Sequence, residues 1–163
     1  MPDSQPERDR TIRTRLVDAA IVVGISVLAA FGSGSRTWTG FNSPDSEFYA
    51  SLALFGSDVT DRSIDPAYTW TRLGYIAPVR LLVTSLDPWA GFALWRLLLI
   101  LLIVGSVYAI VRITSTRQLA VLTSAAAALN TVVLSFVGNS YLTGTILAAT
   151  CLLLALGVWG CLG

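Results

Sequence analysis

Apolar residues dominate this chain in long runs, and polar residues gather mainly in its first fifteen positions and between about 35 and 72. Four runs stand out: Leu16 to about Gly34 (LVDAAIVVGISVLAAFGSG), Trp89 to Val111, Leu119 to about Val137, and Thr145 to Gly163. At about 1.5 Å per helical residue, each is long enough to cross most or all of a hydrocarbon core of about 30 Å. The pattern therefore predicts an all-α integral membrane protein with about four transmembrane helices. A basic tail (1–15) precedes a membrane domain (16–163) whose first external loop spans about 35–88.

The loop contains two further helical patterns. Ser43, Pro44 and Asp45 lead into SEFYASLALF, a cap, a first-turn proline and an acid near the positive end of the helix dipole. Phe48, Leu52 and Phe55 share a face at helical spacing, and Gly56 suits the stop. The later run TWTRLGYIAPVRLLVTSL is apolar but interrupted by Arg72, Pro78 and Arg80, which fits a second interfacial helix better than a span.

Composition agrees with lipid as the solvent. Hydrophobic residues make up 54% and charged residues 13%, where a soluble domain carries about 25% charge. All eleven basic residues are arginine and the net charge is +1, which leaves no broad basic surface for nucleic acid. There is no histidine, and Cys151 and Cys161 lie in one apolar run, about 15 Å apart on a helix and too far to pair. Two buried thiols acting as small hydrophobes is the plain account.

Charge placement sets the orientation. Arg8, Arg10, Arg13 and Arg15 precede the first span, and Arg112 and Arg117 flank a short acid-free loop. By the positive-inside tendency the N-terminus, that loop and the C-terminal end lie in the cytoplasm, with the acidic loop and GNSYLTG outside. An Arg-rich start before a short apolar run also fits a signal peptide cleaved within Ala29–Ser35, but the spans that follow make a retained helix the simpler account. No charged side chain follows Arg117. A cytoplasmic helix end usually carries one, so the expectation is that the protein continues beyond Gly163.

The chemistry-bearing residues concentrate in the loop. Asp45 is either an acid stabilising the first helical turn or a general base. Glu47 would point about 200° away from it on one helix. Arg72, Arg80 and Arg96 could hold a phosphate, since arginine offers permanent charge and bidentate hydrogen bonds. Arg96 is the sharpest of them because it lies inside an apolar span, where it must pair, snorkel or face a polar cavity. Tyr49, Tyr68, Trp70 and Tyr75 are either interface aromatics or platforms for a sugar or isoprenoid, and Asn139 and Tyr141 lie in the second external turn. Asp58, Asp61 and Asp65 are irregularly spaced, which reads as a solvated turn; a divalent cation is possible but not indicated, and no cofactor is.

The order of these features, an acid pair after the first span, an aromatic helix, an acidic turn and a Tyr/Arg-rich run, resembles the amino-terminal part of the polytopic GT-C glycosyltransferases. That group includes protein mannosyltransferases and the aminoarabinose transferase of lipid A. The resemblance covers about residues 10–150 in topology, and at residue level Asp45, Glu47, Phe48, Tyr49 and the 72–80 region. Family acids are often adjacent, whereas here Ser46 intervenes. The resemblance implies a bacterial plasma-membrane enzyme that moves a sugar from a polyprenyl-phosphate donor to an acceptor at the outer face. Asp45 and Glu47 would be its acids, and Arg72, Arg80 and Arg96 its donor-phosphate ligands. Tyr49, Tyr75, Asn139 and Tyr141 would contact substrate. Two other readings stand beside it: a non-enzymatic membrane subunit with an acidic loop for assembly or binding, and a transporter fragment with Arg96 and the Pro78 region lining a pathway.

Overall fold

The computed structural model describes residues 5–32, 51–55, 73–139 and 141–162, with side chains for 12–32, 51–55, 76–137 and 143–162. Among these the chain is helical and contains no strand. Six helices follow in order: α1 (Gln5–Gly32), α2 (Leu73–Ser85), α3 (Pro88–Thr114), α4 (Arg117–Ala128), α5 (Thr131–Asn139) and α6 (Tyr141–Leu162). Residues 51–55 add a short helical turn.

Three segments are long and apolar enough to cross a membrane: Ile12–Gly32, Pro88–Thr114 and Thr143–Leu162. Their outward surfaces require lipid. Leu28 is 73% exposed, Leu153 69% and Phe31 66%, a display of large apolar side chains that water would penalise and hydrocarbon accepts.

α3 is the central element and packs against α1, α2, α4 and α6. Its Leu99, Ile100, Ile103 and Val104 are buried against Ala29 and Ala30 of α1, Ala128 of α4, Val137 of α5 and Ala148 of α6. Large branched side chains on the central helix thus meet small ones on its neighbours. That lets the helices approach closely, which membrane packing needs because burial from lipid gives no hydrophobic gain.

α2 and α3 form a tight hairpin. Asp87 caps α3 by accepting from the amides of Trp89 at 3.0 Å and Ala90 at 3.4 Å, with Pro88 at the first position. At Gly91 the two helices nearly touch, since a Cβ there would lie 2.8 Å from both N and Cα of Val83. Ile76, Val79 and Val83 of α2 are buried with Phe92 of α3 and with Leu52 and Ala53. The second interfacial helix expected from sequence is therefore a helix clasped to α3. In the 51–55 turn Leu52 points inward as expected, but Phe55 is 60% exposed and Ala53 takes the inner place. Phe48 lies outside the described residues.

The expected third span breaks in two. α4 and α5 meet at an angle of 57°. The reason is Asn130, whose side chain accepts from the amides of Val132 at 2.9 Å and Val133 at 3.3 Å and so starts a new helix. α5 turns back onto α6, where a Cβ on Gly144 would lie 2.9 Å from Cα of Val137 and 3.1 Å from the Phe136 carbonyl oxygen.

Candidate functional site

Among the described residues, charged and polar side chains gather most densely at the α3–α4 end of the bundle. At the loop end, Asp45, Glu47, Tyr49 and Arg72 lie outside the described residues, as do Asp58, Asp61, Asp65, Tyr68 and Trp70. Tyr75 occupies the first turn of α2, Asn139 ends α5 and Tyr141 opens α6, in each case as backbone, with side chains outside the described part.

Two of the three phosphate-ligand arginines are described. Arg80 is exposed on α2, and its Nη1 donates to the Leu52 carbonyl at 3.5 Å, a long bond that ties α2 to the loop segment. Arg96 is 2% exposed and is the largest fully buried side chain. It sits one helical turn from Phe92, about two turns into α3. A charge so placed is sheltered by protein, where it has to be held by polar partners. A Cβ on Gly144 would lie 3.4 Å from Leu99 Cδ1, so α6 begins about one turn above Leu99, close to the level of Arg96. The structure thus brings Arg96 and the start of α6 to one level along the bundle.

The other end holds a charge cluster that sequence reading did not assemble. Asp18 of α1 lies 2.8 Å from Nε of Arg117 at the start of α4 and 3.8 Å from Nε of Arg112 near the end of α3. The Asp18 side chain is 18% exposed, while the arginines are 40–42% exposed. Tyr108, one turn before Arg112, brings a buried hydroxyl beside Asp18 and Arg117. Asp18 Oδ1, Arg117 Nε and Nη2, and Tyr108 Oη are all buried without a well-aligned hydrogen bond. The contact is thus a close charge pairing with unused hydrogen-bonding capacity, and two cations on one anion leave the cluster with an excess positive charge.

Beside the cluster a groove of about 510 Å³ runs between α3 and α6. Leu101, Gly105 and Ala109 form one wall, Leu152 and Leu156 the other, and Tyr108, Arg112 and Trp159 lie along its charged end. One signal was present in the sequence: Asp18 is the lone acid inside a span, and Arg112 and Arg117 bracket the only short basic loop. What was missing was the adjacency of α1 to both.

Among the described residues no group of three or more His, Cys, Asp or Glu side chains is arranged to hold a metal ion. The chain matches no family model, no curated protein and no solved structure.

Proposed function

We propose that the protein is a multi-pass glycosyltransferase of the GT-C kind, which moves a sugar from a polyprenyl-phosphate donor to an acceptor at the outer face of a bacterial plasma membrane. The observation that carries the reading is Arg96, a permanent cation buried in a membrane-spanning helix. Such a charge is costly in lipid, so a residue of this kind is held by partners inside the bundle and marks a functional site.

In this reading the acceptor hydroxyl attacks the anomeric carbon and loses its proton to Asp45 as general base. The bond from the anomeric carbon to the donor phosphate breaks, and the leaving polyprenyl phosphate gains negative charge. Arg96 stabilises that charge from inside the bundle, with Arg80 and Arg72 contributing from the loop side. Placement of the N-terminus and the α3–α4 connection in the cytoplasm follows from the arginines at that end.

The test is transfer from a polyprenyl-phosphate-linked sugar by the full chain in membrane vesicles. Asp45→Asn is expected to abolish transfer while membrane insertion persists; full transfer by that variant overturns the assignment.

A second reading, a non-enzymatic subunit, is favoured by one observation: only 11% of the apolar window in α6 is buried. Stable co-purification of one partner protein, together with no transfer by the wild type, would select it.

A further inference from the structure

We infer that the groove between α3 and α6 is a binding site for one anionic phospholipid of the leaflet facing the Arg-rich end, with an acyl chain along the groove and the phosphate at Arg112. The inference is independent of the transferase reading, which concerns the opposite end of the bundle.

The groove has the dimensions and lining of an acyl chain. From Leu101 to Ile113 its α3 wall rises about 18 Å at about 1.5 Å per residue, close to the roughly 15 Å depth of one leaflet. Gly105 and Ala109 keep the floor low, and Leu101, Leu152 and Leu156 supply apolar sides. The one charged residue lining it, Arg112, stands at the end where a headgroup would lie. Trp159 lies at the same end and is 63% exposed, as an interfacial tryptophan should be.

Charge complementarity selects an anionic occupant. Arg117 holds Asp18 at 2.8 Å, while Arg112 stands back at 3.8 Å and is 42% exposed. Arg112 can therefore turn toward a phosphate without leaving the carboxylate unpaired. Tyr108, 6% exposed, lines the same end of the groove with its hydroxyl turned to Asp18 and Arg117. An uncharged or zwitterionic headgroup would leave the excess positive charge uncompensated.

The test is native mass spectrometry of the full chain released from detergent with phosphatidylglycerol or phosphatidylcholine of identical acyl chains. One phosphatidylglycerol is expected to be retained in preference to phosphatidylcholine by about fivefold, the partition that one arginine at an anionic surface supports. Arg112→Gln should level the two lipids. Ala109→Phe, which fills the groove and leaves the ion pairs intact, should abolish retention of both. Glycerol phosphate, which has the headgroup charge and no chain, should fail to displace the lipid. Equal retention of the two lipids by the wild type, an unchanged preference in Arg112→Gln, undiminished retention in Ala109→Phe, or displacement by glycerol phosphate would each overturn the site.

Discussion

Asp18 and Arg117, far apart in sequence, meet at 2.8 Å and join the middle of α1 to the start of α4. Arg112 approaches the same carboxylate at 3.8 Å from the end of α3. One acid thus ties three helices together at one end of the bundle. Because the carboxylate is mostly sheltered, its loss leaves two arginines facing each other with nothing between them. Asp18→Asn is expected to lower stability by about 1–3 kcal/mol, between the values for exposed and buried pairs. Arg117→Gln should cost more than Arg112→Gln, and the Asp18→Asn/Arg117→Gln double variant should cost less than the sum of its singles. Thermal melts in detergent check this; strict additivity would remove the pairing from the stability account.

Glycines at two crossings leave no room for a methyl group. Gly91→Ala would drive a Cβ to 2.8 Å from the Val83 backbone, and Gly144→Ala to 2.9 Å from Val137 Cα. Each is expected to destabilise by about 1–3 kcal/mol, because backbone rather than a side chain must move. Gly157→Ala, with nothing within 4 Å of its Cβ position, serves as the neutral control. Equal melting temperatures for all three would contradict the close approach.

The bend between α4 and α5 depends on one side chain. Asn130→Ala removes both bonds to the Val132 and Val133 amides and is expected to cost about 1 kcal/mol. Asn130→Asp, which preserves the acceptor, should restore most of that loss. A melt unchanged in Asn130→Ala would mean that packing alone sets the bend.

Arg96 and Arg80 should differ in their effect on transfer. Arg96→Leu removes a buried charge and is expected to lower transfer by at least tenfold, the consequence of losing about 1.4 kcal/mol of leaving-group stabilisation. Arg80→Leu, on an exposed side chain, should have the smaller effect. Initial rates at saturating and limiting donor separate binding from chemistry, and a wild-type rate in Arg96→Leu would release the residue from the mechanism.

Membrane orientation is testable without activity. In a background with Cys151 and Cys161 replaced by serine, Leu86→Cys at the α2–α3 turn should react with an impermeant maleimide in intact cells. Gln118→Cys, beside Arg117, should react only after permeabilisation. The opposite pattern would invert the topology.

Some of this was legible before any coordinates. The long apolar runs required helices in lipid, because each run is long enough to satisfy its backbone internally across the core and too apolar for water. Arg96, as a charge in such a run, had to be special. Asn130, by contrast, lies within the Leu119 to Val137 run that reads as one continuous span. Its capping role is a local choice between continuing one helix and starting another, and that choice depends on whether α5 can pack against α6. Asp45, Glu47, Tyr49, Asp58, Asp61, Asp65, Tyr68 and Arg72 lie outside the described residues, so the structure describes the loop end through Arg80, Arg96 and the backbone around them.

Hydropathy and arginine placement, read from the sequence alone, determined the membrane as solvent, the helical class and the sharp candidates for buried charge, because each follows from the local cost of placing a group in hydrocarbon. Only the tertiary structure decided which helices touch. That adjacency converted Asp18, Arg112 and Arg117 from three separate charges into one cluster, buried Arg96, and opened the groove between α3 and α6. Pairing, burial and cavities are properties of how helices pack, and packing in lipid is set by close contacts such as Gly91 with Val83 that no apolar run announces.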